Sequence, residues 1–217
     1  MSVLLTGFGA FGDVRVNPSE QIAVALDGEQ IAGHQVQSVV LPVATDRVSA
    51  ALSEAIQVVK PDLILCLGVA PGRPAAALER VAVNVKDFPL PDIDGRTPID
   101  EPVLPEGPAA YLGTVPAKAI LTRWAKEQVP GYLSNTAGTY VCNQVFYLCS
   151  HHAHRLHIPA GLIHLPSTPG SISAARPGQS PPPTAQLDVL TRAVRLAIDV
   201  ALTHQGSDLP VTAGALS

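Results

Sequence analysis

A chain of 217 residues, 47% hydrophobic and only 15% charged, holds the apolar material for one well-cored globular domain. A net charge of −4 gives no reason to expect a nucleic acid or an anionic membrane as partner. The start, Met1 to Leu5, has no basic leader region, and no apolar run is long enough for a bilayer; with three cysteines lacking paired spacing, the sequence predicts a cytoplasmic protein with reduced thiols.

Residues 2–6 read as a short strand running into Gly7, Phe8, Gly9, Ala10, Phe11, Gly12. Taken literally this is a G-x-G-x-x-G dinucleotide fingerprint, which works only where the glycines open directly onto a helix. The next helix is predicted to start at Pro18 with Asn17 as its cap, too late to hold a pyrophosphate, and Asp27 falls at a helix end. The loop places Phe8 and Phe11 beside glycines that let backbone approach a ligand, or that let both rings pack beneath the loop.

Strand and helix then alternate as in an α/β protein. Residues 35–43 are strand-like, and 46–59 carry a helical stripe of Val48, Leu52, Ala55, Ile56 and Val59. The continuous apolar run Leu63, Ile64, Leu65, Cys66, Leu67 predicts a central strand covered on both faces, with Cys66 in the core. It runs out through Gly68, Val69 and on to Arg73, at the sheet edge where ligands of open α/β folds bind. Residues 78–85 alternate as one half-buried strand with Glu79 near its start, and the proline- and acid-rich residues 87–108 read as a surface loop able to cover a site.

After a helix over 116–127 comes a strand, a tight turn and a helix start: Tyr132, Leu133, Ser134, Asn135, Thr136, Ala137, Gly138, Thr139, Tyr140, Val141, Cys142, Asn143. Thr139 is placed to cap the helix and Cys142 to lie in its first turn, where the dipole and unpaired N–H groups favour a thiolate and can hold an oxyanion. His151, His152, His154 and His157 lack convincing metal-ligand spacing and read as a solvated helix end, so no metal site is expected. Residues 161–166 form a short strand bearing His164, residues 166–183 are irregular, 184–202 form an amphipathic helix, and the last dozen residues are expected to fray.

Glu79, Cys142 and His164 all fall at strand ends or the turns that follow them. In a parallel sheet those ends share one rim, where a thiol, an imidazole and a carboxylate supply the parts for acyl transfer. A cysteine-dependent amide hydrolase and a nucleotide-binding α/β domain with a structural Cys142 are the other readings at this point.

Four blocks make the sequence recognisable: residues 6–12 with Asn17 and Pro18; residues 68–73 with 79–84; residues 134–143, Ser-Asn-Thr-Ala-Gly-Thr-Tyr-Val-Cys-Asn; and residues 161–166. Over nearly its whole length the chain resembles the pyroglutamyl peptidase I family, the pyrrolidone carboxyl peptidases. The resemblance implies a single catalytic domain over residues 1–217, built as a three-layer α/β/α fold with a twisted, mostly parallel sheet and commonly assembled as a homotetramer. It implies a cytoplasmic cysteine exopeptidase for N-terminally pyroglutamylated peptides that needs no metal or cofactor, with Cys142 as nucleophile, His164 as base and acid, and Glu79 as orienter. Matching substrate positions are Phe8, Phe11, Asn17, Val69, Leu90, Tyr140 and Val141. The chain departs from the family pattern at Ala76 and Ala77 before Glu79, at Pro89, and over residues 167–171.

Overall fold

In the computed structural model, which describes residues 1–12, 14, 16–171 and 182–214, strand and helix alternate as the hydrophobic pattern requires. Strand β1 (Ser2–Phe8) is followed by α1 (Pro18–Leu26), β2 (Gln30–Ile31), β3 (His34–Leu41), α2 (Thr45–Val59) and β4 (Leu63–Val69). Then come β5 (Ala76–Glu79), β6 (Val81–Val83), β7 (Ala110–Leu112), α3 (Ala117–Lys126), β8 (Gly131–Ser134), α4 (Val141–Leu156), β9 (Ala160–Leu165) and α5 (Leu187–Thr203). The main sheet has the order β2-β3-β1-β4-β9-β5-β8, and β6 pairs with β7 apart from it.

The sheet is mostly parallel, with β3, β1, β4 and β9 aligned at its centre. Side chains alternate across it with period two. Val3 and Leu5 of β1, Leu63, Leu65 and Leu67 of β4, and Ile163 and Leu165 of β9 pack with α1, α3 and α5; Leu4, Ile64, Cys66 and Leu162 pack with α2 and α4. Two apolar cores on opposite faces make the fold a three-layer α/β/α sandwich. Among the described residues, no helix is long and apolar enough to cross a membrane.

Asn17 does cap α1, accepting from the Ser19 N–H at 3.0 Å. Of the glycines before it, Gly7 serves packing: a Cβ there would overlap the Ser19 main-chain carbonyl, so α1 lies close against β1. The expected single strand over 78–85 is instead two strands in different sheets, separated at the exposed Arg80. The alternation there is real, but the chain leaves the main sheet between Glu79 and Val81 and re-pairs with β7.

The loop after β6 is less detached than its composition predicts. Phe88 is buried, and the Asp92 carboxylate, 6% exposed, accepts from the N–H groups of Thr45 at 2.7 Å and of Asp94 and Arg96 at 2.9 Å. Thr45 opens α2, whose own cap residue, Ala44, has no side-chain acceptor, so a distant aspartate caps that helix. Within the terminus expected to fray, the Asp208 carboxylate likewise accepts from Lys118 and Ala119 at the start of α3. The irregular stretch predicted over 166–183 lies outside the described residues at 172–181.

Burial raises the affinity of Asp92 for a proton, yet its three backbone partners and Arg96 together hold the carboxyl below its ordinary value. Such a group stabilises the fold above the usual aspartate range and loses that contribution as pH falls through its lowered value. Asp92→Ala is expected to cost about 1–2 kcal/mol in chemical denaturation at pH 7. The difference from wild type should shrink as the pH is lowered through the acid range; a constant difference would contradict this role.

Candidate active site

Alternation along the strands assembles the site. In β9, Ala160 and Leu162 face α4, so His164 does also; in β5, Ala76 and Leu78 face the other core, which turns Glu79 toward α4. In β4 the same parity places Gly68 beneath the first turn of α4, where Cys142 is the second residue.

The three groups do meet, although not by sharing one rim. Strand β5 runs antiparallel to β9, with Ala77 opposite His164, so the carboxyl ends of these strands point in opposite directions. Glu79, two residues beyond Ala77 on the same face, is the diagonal neighbour of His164 and reaches it across the face. The His164 Nδ1–H donates to Glu79 Oε1 at 2.7 Å, with both side chains buried. A carboxylate can only accept, so this bond fixes the proton of the neutral ring at Nδ1 and leaves Nε2 as the free base.

The ring edge bearing Nε2 lies near the thiol. A Cβ built on Gly68 would lie 2.9 Å from Cys142 Sγ, 2.9 Å from His164 Cδ2 and 3.1 Å from His164 Nε2, so sulfur and that ring edge flank one point in space. Any side chain on residue 68 would occupy the place where the two converge. This steric requirement gives Gly68 a role that its position in an apolar strand does not reveal.

The start of α4 is held from two sides. Asn143 Nδ2 donates to the carbonyls of Val83 at 2.9 Å and Val85 at 3.0 Å, and its Oδ1 accepts from Val83 N–H. Gln144 donates to Thr45 O at 2.9 Å and accepts from Thr45 Oγ1 at 2.8 Å. The cap residue is Tyr140 rather than Thr139, and it makes no side-chain cap bond; the Thr139 hydroxyl donates instead to Asp87 O at 2.6 Å. The first amides of α4 therefore have no intrahelical or side-chain cap acceptor, and that of Cys142 lies against its own sulfur.

These amides do not make a resting thiolate. Burial, followed by the negative charge of Glu79 and the neighbouring Cys66, pushes the Cys142 thiol up to about 12, while its own N–H and the Arg73 guanidinium act in the opposite direction. Desolvation outweighs the helix terminus, contrary to the sequence expectation. That environment favours the thiol over the thiolate, so a base beside the sulfur, such as His164, would assist its attack.

Arg73 is the charged residue that sequence reading passed over. Its Nη2 lies 2.8 Å from Glu79 Oε1 and donates to Thr136 O at 3.2 Å, while Nη1 donates to Tyr132 Oη at 3.1 Å. The available signal was isolation, because Arg73 is the sole charged residue between Asp62 and Glu79. Ala76 and Ala77 give the carboxylate no polar side-chain partner; Arg73 does.

The expected substrate positions divide by exposure. Val141 is fully buried, Phe8 is 2% and Val69 7% exposed, whereas Phe11 and Tyr140 are half-buried and Leu90 is exposed. Phe8 and Val141 belong to one apolar cluster against which Phe11, Tyr140 and Cys142 pack. Tyr140 lies 4.5 Å from Phe88 ring to ring and donates to Pro91 O at 3.2 Å, which ties the loop carrying Leu90 to the turn before Cys142. Asn17 spends its amide within the fold, donating to Gly9 O at 2.9 Å and accepting from Ser19.

Cys66 is buried in the core as expected, with its Sγ 3.1 Å from that of Cys149. Of the histidines at the end of α4, His154 and His157 are exposed as expected, whereas His151 and His152 are half-buried. His151 Nδ1 is 2.9 Å from Tyr111 Oη, and burial followed by neighbouring positive charge holds His151 and His152 below the ordinary imidazole value. Among the described residues, no three His, Cys, Asp or Glu side chains are grouped to hold a metal ion.

The pyroglutamyl peptidase family profile matches residues 1–204. The chain belongs to the pyroglutamyl peptidase family. Pyrrolidone-carboxylate peptidase of Pyrococcus furiosus is 41% identical over 204 residues, covering 93% of this chain and 98% of the relative. That of Streptomyces coelicolor is 43% identical over 215 residues, covering 98% of each. Among solved structures, the pyrrolidone carboxyl peptidase from Thermococcus litoralis superposes with a TM-score of 0.93 at 35% identity, covering 97% of this chain and 99% of the other. A mutant P. furiosus enzyme superposes at 0.90 with 39% identity, covering 93% and 98%.

Gly68→Ala tests the convergence of thiol and imidazole. It is expected to slow alkylation of Cys142 by iodoacetamide by about 100-fold, the scale of an ångström-sized misplacement. Circular dichroism should remain that of the folded protein. Alkylation at the wild-type rate would show that sulfur and nitrogen do not share that point.

Proposed function

We propose that this protein hydrolyses the amide bond after an N-terminal pyroglutamyl residue of peptides, through a thioester on Cys142. The observation that carries the reading is the approach of Cys142 Sγ and His164 Nε2 to one point above Gly68, with Nδ1 held by Glu79. Family membership supplies the substrate class, and the site chemistry fits it.

The steps follow from the geometry. His164 Nε2 takes the Cys142 proton as sulfur attacks the pyroglutamyl carbonyl, because the buried thiol does not ionise by itself near neutral pH. The oxyanion forms at the first amides of α4, including that of Cys142. The imidazolium, stabilised by Glu79, returns its proton to the leaving amine. Water then enters and attacks the thioester carbonyl as His164 takes its proton; the C–S bond breaks, pyroglutamate leaves, and the imidazolium returns the proton to the Cys142 sulfur. Thiol, imidazole and carboxylate suffice for both halves, so the proposal involves no metal or cofactor.

Pyroglutamate is a flat, uncharged lactam. Its ring suits the apolar cluster beside Cys142, where Phe8 and Val141 are buried and Phe11 and Tyr140 retain exposure, with the exposed Leu90 on the neighbouring loop; the Val69 side chain falls on the other face of β4, so Val69 would serve through its backbone. Burial, then the charges of Asp92 and Cys142, push the Tyr140 phenol up to about 12, so that wall carries no charge at working pH. Asn17 serves the substrate indirectly, by fixing the Gly9 backbone. Free ring polar groups would be matched by backbone, and an ordinary charged amino terminus would lose its solvation without gaining a partner. The whole chain acts as one catalytic domain, in the cytoplasm and as a homotetramer, in line with the resemblance of the sequence and its sparse charge.

The test is release of a fluorescent amine from a pyroglutamyl amide in reducing buffer. Wild type is expected to turn over, Cys142→Ala to be inactive, and His164→Gln to lose roughly 100- to 10,000-fold in kcat. A folded wild type that releases no amine, or a Cys142→Ala protein that still does, would overturn the proposal.

A further inference from the structure

Within this reading of the site, one charged side chain has no part in the steps above and yet touches their machinery. Arg73 stands in the loop between β4 and β5, with its side chain 20% exposed. Its Nη2 and the His164 Nδ1–H both approach the same carboxylate oxygen, Glu79 Oε1, at 2.8 and 2.7 Å. Among the described residues, the other oxygen, Oε2, is buried without a hydrogen-bond partner.

An arginine beside a carboxylate ordinarily engages both oxygens with its planar fork. Here the fork is divided. Nη1 is turned to Tyr132 Oη, and Nη2 also reaches Thr136 O, both on the segment that runs from β8 to Cys142. The guanidinium therefore joins the carboxylate of the triad to the turn that delivers its nucleophile.

We infer that Arg73 is a positioning residue of the triad: it fixes the rotation of the Glu79 carboxyl toward His164 and supplies a lasting positive charge beside that buried carboxylate. The physical grounds are three. With Oε2 unpartnered, only the contacts to Oε1, from His164 and Arg73, hold the carboxyl against rotation about its last bond. A buried carboxylate needs a compensating charge in every step in which the imidazole is neutral, and the imidazole supplies one only while protonated. A fixed positive charge on Oε1 competes with imidazolium for the same lone pairs, so it favours the neutral ring that acts as base. The charged and titratable groups facing the His164–Glu79 pair are Arg73 from the β4–β5 loop and Cys142 from α4, with Cys66 of β4 behind Cys142.

Two variants, each compared with wild type, test this in two assays. One assay is the pH profile of kcat and KM on a pyroglutamyl amide; the other is the pH profile of Cys142 alkylation by iodoacetamide, read by mass spectrometry on the peptide that carries it. Alkylation reports the thiol and its base whatever the natural acyl group is, so a wrong substrate assignment silences only the first assay.

Arg73→Gln removes the charge and keeps a donor. It is expected to lower kcat about 10- to 100-fold with KM little changed, as loss of an outer partner of a reacting group does. The acid limb of both profiles should move to higher pH. Arg73→Lys keeps a charge without the fork. Its limb should stay at the wild-type position while kcat falls by less than in Arg73→Gln.

A folded Arg73→Gln protein with the wild-type limb and kcat overturns the inference, and so does a loss confined to KM. Equal losses in both variants with the limb unmoved would mark Arg73 as a brace for the Tyr132–Thr136 turn and also overturn it. Should Arg73→Gln fail to fold, Arg73→Lys decides: a lowered kcat with an unmoved limb upholds the inference, and a displaced limb or wild-type kcat overturns it.

Discussion

The bond from His164 Nδ1 to Glu79 Oε1 is the constraint on which the site depends. It sets the tautomer, and the tautomer leaves Nε2, on the ring edge near Cys142, free to serve as the base of the proposed mechanism. The bond forms inside the protein, where a carboxylate and an imidazole cannot be left to water, so β5 and β9 must be registered to within one residue for it to exist. A slip of one residue in either strand would turn Glu79 or His164 into the opposite core. The sheet register and the chemistry are thus the same fact seen at two scales.

The remaining elements hold the nucleophile against that pair. Helix α4 buries most of its length between the sheet and α2, and its start is pinned by Asn143 to β6 and by Gln144 to the beginning of α2. Gly68 removes the side chain that would separate sulfur from imidazole. Burial works against ionisation of the Cys142 thiol, which makes a neighbouring base the more important to the proposed attack.

Much of this was legible in the sequence. The apolar run through Cys66 gave a central strand, the stripe from Val48 to Val59 a helix, and the stretch ending in Cys142 and Asn143 a helix start with a thiol in its first turn. Glu79 and His164 were legible as partners, but the reason offered, a shared rim of parallel strands, did not hold, because direction cannot be read from a strand of four residues. Thr139 was misplaced as a cap because its hydroxyl is spent on Asp87, a partner 52 residues away. Arg73, Asp92 and Gly68 stayed hidden for a common cause: each acts through a contact between segments distant in the chain, and local pattern names no partner for such contacts even where, as at Arg73, isolation marks the residue.

The account rests on covalent chemistry at one sulfur, and that intermediate can be observed. Wild-type protein turning over a pyroglutamyl amide would be quenched in acid, digested and analysed by mass spectrometry at the peptide bearing Cys142. The account predicts a hydroxylamine-sensitive mass increase of one pyroglutamyl group on Cys142 during turnover, disappearing when substrate is exhausted. Acylation of another residue instead, or release of the amine with Cys142 unmodified in Glu79→Gln and wild-type protein alike, would contradict it.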